Sequence, residues 1–122
     1  MLATVAQLEA RLGEPPGSLA GEDLARATAA LEDASVLVAA YGSRTWTIET
    51  VPDTARVVVL RLARRFWDNP EGLNYEALGD HTVSRAAAST FLTPEERALV
   101  AGAAGSAGHA GVYSVGTPGV WS

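Results

Sequence analysis

The stretch DTARVVVLRLARRFW, residues 53–67, decides how the chain folds. On a helix its apolar residues recur at the spacing of a stripe that faces a protein core. The residues of this stripe are Ala55, Val58, Val59, Leu62, Ala63 and Phe66. Pro52 and Asp53 supply a fixed φ and a side-chain acceptor at the start. Because Pro70 disfavours the helical region at the residue before it, we predict a helix from 53 to 68.

A second face of the same helix is polar with an apolar edge. It carries Arg61, Arg64, Arg65 and Asp68, with Leu60 and Trp67 beside them. Burying Leu60 and Trp67 inside one chain would also bury the neighbouring charges, and an unpaired buried charge is costly. An apolar edge beside exposed charges is typical of a contact with another protein. We therefore predict that Leu60, Arg64 and Trp67 lie in a subunit interface.

Length and composition limit the class of protein. A chain of 122 residues, 48% hydrophobic and 19% charged, is the size and composition of one folded domain. No apolar run approaches the roughly 20 residues of a membrane helix, so no membrane partner is expected. The first residues lack the basic start of a signal peptide. Without cysteine, the chain has no disulfide and no thiolate metal site.

The charge balance disfavours binding to nucleic acid over the whole surface. The net charge is −5, and all nine basic residues are arginine. An acidic protein is not attracted to a phosphate backbone, although a local strip of arginines can still touch one. Four of the arginines lie on the helix predicted at 53–68, where a solvated face with acidic neighbours is the favoured interpretation.

Three further helices are predicted from their caps and apolar spacing. Thr4 and Gln7 have the spacing of a capping box, which predicts a helix at 4–12. A longer helix at 22–41 begins with acidic residues and ends before Gly42, which can take a positive φ. We expect it to pack antiparallel to the helix at 53–68. The sequence TPEE at 93–96 opens a last helix at 94–101.

Short extended pieces are expected between the helices. Residues 44–51, RTWTIETV, alternate polar and apolar side chains, which indicates a short strand or extended link with Trp46 and Ile48 facing the core. The residues NPEG at 69–72 predict a turn. The fold class is therefore mainly all-α: a small bundle of about four helices with short extended segments.

The C-terminal residues have a different composition. Nothing after Arg97 is charged, and glycine and alanine dominate from Gly102 onward. We predict a helical domain at 1–101 and an extended arm at 102–122, because the glycines disfavour a helix. An uncharged arm with large apolar side chains is typical of a docking segment. The anchors are Val112, Tyr113, Val115, Val120 and Trp121.

The sequence offers no catalytic centre, so we predict that the protein is not an enzyme and has no cofactor or metal. Its two histidines, His81 and His109, lie in different irregular segments. Asp80, His81 and Ser84 contain the groups of a hydrolytic triad, but such groups usually converge through tertiary structure and not from adjacent positions.

The order of these features resembles the head-to-tail adaptor proteins of long-tailed bacteriophages, particularly those of actinobacterial hosts. The resemblance covers about Val5 to Val100 and is carried by order and spacing. The segments that carry it are AYG at 40–42, VPD at 51–53, NPEG at 69–72, LGDHTVS at 78–84 and FLTPEER at 91–97.

This resemblance implies a virion structural protein at the head-tail joint, assembled in the host cytoplasm. The chain would form a dodecameric ring below the portal protein, joined to a downstream stopper or tail-completion protein, and would line the channel through which genomic DNA passes without specific binding. It implies subunit packing for the helix with Leu60 and Trp67. The loop with Asp80 and His81 would face the channel or the next ring, and the C-terminal arm would dock on the portal.

Two other functions remain open. The first is a small helical DNA-binding or regulatory protein that uses the arginine strip, which we define as Arg56, Arg61, Arg64 and Arg65. Such proteins concentrate positive charge on a face, whereas fourteen acidic residues compete here. The second is a small hydrolase that uses His81.

Overall fold

The computed structural model describes residues 1–69 and 83–108, and within them the chain forms five helices. They are α1 (Val5–Leu12), α2 (Gly21–Tyr41), α3 (Asp53–Asp68), α4 (Arg85–Ser89) and α5 (Pro94–Gly108). These ranges contain no strand. The predicted all-α class is confirmed, and the predicted bounds of α1, α2 and α3 are correct to within one residue.

Helices α2 and α3 form the centre of the bundle. They make the most extensive contact of any helix pair in the described residues. The hydrogen bond from Arg26, near the start of α2, to the Trp67 carbonyl, near the end of α3, shows that the two helices run antiparallel. The predicted stripe of α3 is buried along its whole length, as is the facing stripe of α2. The buried residues of α2 are Ala27, Ala30, Leu31, Ala34, Ser35, Leu37, Val38 and Ala40.

Local caps explain why the bounds of α1 and the start of α5 were predictable. Thr4 and Gln7 form the predicted capping box, and Gly13 ends α1 with a φ of 79°. At α5, the Thr93 hydroxyl accepts from the Glu96 N–H while the Glu96 carboxylate accepts from the Thr93 N–H. Each box satisfies N–H groups that the helix itself leaves free, so these starts depend on a few adjacent residues.

The connection between α2 and α3 is a series of turns, so the short strand or extended link predicted at 44–51 is wrong. The Thr47 hydroxyl accepts from the N–H groups of Glu49 and Thr50, and the Thr50 hydroxyl accepts from the Thr47 N–H. Such side-chain bonds offer the backbone an alternative to strand pairing. Trp46 packs against the core as predicted, but Ile48 is exposed.

Gly42 is required for a reason that differs from the predicted one. Its φ is −98°, so it does not take the left-handed conformation. A Cβ atom at this position would lie 2.5 Å from the Trp46 ring and 2.8 Å from a Val100 methyl group. The absence of a side chain at Gly42 lets Trp46 and Val100 close over the end of α2.

The C-terminal part of the fold differs from the sequence prediction in two ways. The last helix was predicted to end at 101, and this is wrong because α5 runs through Gly108. Val100 and Ala103 are both buried against the core, so packing stabilises a segment whose glycines disfavour a helix. The short helix α4 was not predicted, although Ser84 accepts from the Ala87 N–H as its N-cap.

No helix in the described part of the chain has the length and hydrophobicity needed to span a bilayer.

Candidate interaction surface

The side of α3 that faces away from α2 carries the predicted interface residue Arg64. Val57, Arg61, Arg64 and Asp68 follow one another at intervals of four, three and four residues, which places them on one face. Arg64 lies 3.8 Å from the Asp68 carboxylate and donates to the Arg11 carbonyl at 2.8 Å. Its side chain remains about half exposed, so it is accessible for a partner. We call these four residues the α3 outer face.

Leu60 does not belong to this surface, and its predicted place in a subunit interface is wrong. It is 3% exposed in the single chain and is part of the hydrophobic core. Helix α1 packs along this side of α3, as the Arg64–Arg11 contact indicates, and Leu60 lies one turn before Arg64. The neighbouring arginines stay exposed because their long side chains extend to solvent while their stems cover the core.

Trp67 is half-buried and packs against the core from its edge. The guanidinium group of Arg26 lies 4.4 Å from the centre of its ring, and the same side chain donates to the Trp67 carbonyl at 3.0 Å. A cation over an aromatic face is attracted by the ring quadrupole. Trp67 is therefore held mainly by its own chain, with only part of its surface left for another subunit.

Arg65 forms an ion pair with Glu96 of the same chain. Its two terminal nitrogens donate to the Glu96 carboxylate at 2.7 and 2.8 Å, and one of them also donates to the Phe91 carbonyl at 3.0 Å. The Glu96 side chain is 1% exposed. This bidentate pair joins α3 to the start of α5.

The charge of Glu96 is stabilised by its surroundings. Burial alone would raise the pKa of this carboxyl group, but the hydrogen bonds from Arg65 and from the Thr93 N–H, with the charges of Arg65 and Arg61, outweigh burial and lower the pKa. The same hydrogen bond raises the pKa of Arg65. Both groups are therefore charged at neutral pH.

The rest of the arginine strip also contacts groups of the same chain. Arg56 lies 2.8 Å from the Asp53 carboxylate, and Arg61 lies 3.5 Å from the Glu95 carboxylate. These two pairs, unlike the Glu96 pair, involve largely exposed carboxylates and are weak. The strip is thus a set of internal pairs with partly exposed cations, and it does not form an uninterrupted positive surface.

Four arginines bind helix ends, a role that the sequence analysis missed. Each donates to a carbonyl in the last turn of a helix on which it does not lie. The contacts are Arg64 to Arg11 of α1 at 2.8 Å, Arg85 to Tyr41 of α2 at 2.9 Å, Arg26 to Trp67 of α3 at 3.0 Å, and Arg97 to Ser89 of α4 at 2.9 Å. We call Arg26, Arg64, Arg85 and Arg97 the helix-end arginines. Backbone acceptors leave no mark in the sequence, so only the fold reveals these contacts.

A groove of about 440 Å³ lies between the end of α3 and the turn before α5. Phe66 and Phe91 meet in it edge to face, with ring centres 6.2 Å apart. The groove has a mixed lining without histidine: Leu62, Arg65, Phe66, Asp68, Asn69, Thr90 and Phe91. The two phenylalanine rings give the groove an apolar part that can hold an apolar side chain.

Residues 1–69 and 83–108 contain no group of three side chains suited to hold a metal ion. Several predicted site residues lie outside the described residues: Asp80 and His81 of the loop, and Val112, Tyr113, Val115, Val120 and Trp121 of the arm. Comparisons with protein-family models, with curated proteins and with solved structures found no match for this chain.

Proposed function

We propose that this protein is a virion structural protein, a head-to-tail adaptor of a long-tailed bacteriophage that forms a ring beneath the portal. The observation that carries the proposal is the order and spacing of sequence segments between Val5 and Val100, which resembles that family. The helices α1, α2 and α3 lie within one residue of the bounds predicted from the sequence. The TPEE cap also opens α5 at the expected residue.

In this role the chain joins the capsid to the tail. The helical domain packs against further copies in a dodecameric ring, and the C-terminal arm with Val112, Tyr113, Val115, Val120 and Trp121 docks on the portal protein. The loop with Asp80 and His81 faces the channel or a downstream stopper or tail-completion protein. The role is structural and needs neither a catalysed reaction nor a cofactor.

The charge distribution supports a conduit for DNA more than a DNA-binding surface. The net charge is −5, and each arginine of the strip has a carboxylate of the same chain nearby. An arginine that is already paired with a carboxylate neutralises phosphate less effectively. It therefore displaces fewer counterions from DNA and binds it weakly. Double-stranded DNA would then slide past an acidic ring without sticking to it.

The proposal is tested by attachment to portal-bearing heads of the same virus. The full chain should sediment with such heads and form a ring visible by electron microscopy. A variant that ends at Gly108 should fold equally well, because the last buried side chain among the described residues is Ala103, but it should fail to attach. A full chain that never sediments with portal-bearing heads would contradict the proposal.

The DNA-binding alternative is tested with the same purified chain. Binding to duplex DNA at about 50 mM salt that disappears in Arg64→Ala would support the alternative, since electrostatic binding falls steeply as salt rises. We expect no binding under these conditions. A matched control is Arg11→Ala, which removes an exposed arginine side chain outside the strip.

A further inference from the structure

Helix α2 has an exposed face whose composition is unusual for a solvated surface. Ala25, Ala29, Glu32 and Val36 follow one another at intervals of four, three and four residues and share the side opposite the buried stripe. All four are exposed, and Val36 is 47% exposed. Solvated helix faces are normally rich in charged side chains, whereas this face has one. We call these four residues the α2 outer face.

The two central helices carry opposite charges. Helix α2 has four carboxylates and one arginine, while α3 has four arginines and two aspartates. Asp33 lies next to the α2 outer face, and its pKa is raised mainly by burial and also by the negative charge of Glu32. A nearby cation would favour the ionised form of Asp33. The surroundings of Glu32 are thus suited to an arginine, and the single chain has its exposed arginines elsewhere.

The fold puts these charges on opposite sides of the molecule. Helices α2 and α3 pack against each other through their buried stripes, so their outer faces point in opposite directions. The two faces therefore cannot meet within one chain. When copies are arranged side by side, however, the α2 outer face of one copy meets the α3 outer face of the next, a head-to-tail contact that can close into a ring.

We propose that the α2 outer face binds the α3 outer face of a second copy of this chain. If neighbouring copies are related by a rotation about an axis parallel to the helices, every helix keeps its direction. Helix α2 of one copy then runs antiparallel to α3 of the next, as α2 and α3 do within one chain. Because both faces have the same spacing, Val36 then lies on Val57 and Glu32 lies opposite Arg61. The small side chain of Ala29 leaves room for Arg64.

This contact rests on the part of the proposed function that brings several copies together, and it names the surfaces that do so. Arg61 is suited to the role because its side chain is 45% exposed and its contacts with Glu95 and Glu96 are 3.5 and 3.9 Å long. It can therefore turn to Glu32 of a neighbour without breaking a close ion pair. Electrostatic complementarity of this kind sets register and orientation more than raw affinity.

The charge contact is tested by sedimentation velocity of the full chain over a range of concentrations and salt. We expect self-association that weakens with salt and falls by about tenfold in Glu32→Arg. The matched control is Glu14→Arg, which makes the same charge change at an exposed carboxylate in the α1–α2 connection. A chain that stays monomeric at every concentration, or a Glu32→Arg variant that associates like the control, would overturn the inference.

The geometry is tested with cysteines, because the natural chain has none. A short bis-maleimide should link copies of the double variant Val36→Cys/Val57→Cys into a ladder of dimers, trimers and larger species. Either single variant should give almost no covalent dimer, since a head-to-tail contact never brings two identical positions together. Efficient dimers of the Val36→Cys variant would indicate a two-fold contact and would refute the proposed pairing.

The same variants separate this inference from the adaptor function. If Glu32→Arg still forms rings on portal-bearing heads, the copies meet through other surfaces, and the inference falls while the function stands. If the cysteine ladder forms but the chain never attaches to such heads, the inference stands and the adaptor function falls.

Discussion

Glu96 offers the sharpest test of how the bundle is held together, and the expected effect of Glu96→Ala can be worked out from its contacts. The substitution removes the bidentate pair with Arg65 and the acceptor for the Thr93 N–H. Breaking a fully buried pair costs roughly 3–5 kcal/mol, and a lost capping bond costs about 1 kcal/mol. Arg65 is partly exposed and can rehydrate, so we expect a total near 2–4 kcal/mol.

This loss should be measured by urea unfolding followed by circular dichroism, and by a fall of about 10 °C in the thermal midpoint. The matched control is Glu95→Ala, one residue earlier, whose side chain is 71% exposed and only 3.5 Å from Arg61. The control should lose less than about 0.5 kcal/mol. Equal losses for the two variants would refute the view that the Glu96 pair links α3 to α5.

The pH dependence provides a second check on the same residue. The pKa of Glu96 is lower in the folded chain than its ordinary value of 4.5, so the unfolded chain takes up this proton first as the pH falls. The stabilisation is therefore complete above about pH 5.5 and is lost as the pH falls through the lowered pKa. The stability difference between the natural chain and Glu96→Gln should shrink over that acidic range. A difference that stays constant down to about pH 2 would mean that the Glu96 charge contributes nothing.

Two further substitutions test the packing. Gly42→Ala should destabilise the chain by about 1–3 kcal/mol in urea unfolding, because the added Cβ would meet Trp46 and Val100 at under 3 Å; an unchanged midpoint would show that the Trp46 ring moves aside freely. Leu60→Ala should lower the free energy of unfolding by about 2–5 kcal/mol, because it truncates a core side chain, whereas Arg64→Ala should lower it by under about 1 kcal/mol. The reverse order would contradict the placement of Leu60 in the core.

The helix bounds could be predicted because they are set by nearby residues. The boxes at Thr4 and Thr93 act over three positions, and the prolines around α3 act on themselves and on the preceding residue, so the sequence displays these signals directly. The end of α5 could not be predicted in this way. Burial of Ala103 by residues far along the chain overrides the local cost of Gly102 and Gly105, and that burial is a property of the assembled bundle.

Leu60 shows why the interface prediction failed in part. The apolar spacing indicates a core stripe on one side of α3, but α1, α2 and α5 all pack against this helix and bury a wider arc. Leu60 lies within that arc, while Arg64 lies at its rim. Spacing along one helix does not reveal how many neighbours it will have, so the width of the buried arc had to come from the fold.

The short strand or extended link predicted at 44–51 failed for a different reason. Alternating side chains fit a strand only when another strand supplies hydrogen-bonding partners, and the described part of the chain contains none. The threonine hydroxyl groups bind the local backbone and make turns. Trp46 could still be placed in the core, because a large aromatic ring is buried in either conformation.

The helix-end arginines make the fraying of one helix depend on another. The last turn of an isolated helix opens readily, but here the final carbonyl groups of α1 to α4 are each held by a side chain rooted in a different helix. The end of α3 can open only when Arg26 of α2 releases the Trp67 carbonyl. The end of α1 can open only when Arg64 of α3 releases the Arg11 carbonyl. Hydrogen exchange at these turns should therefore report cooperative opening of helix pairs and not independent fraying.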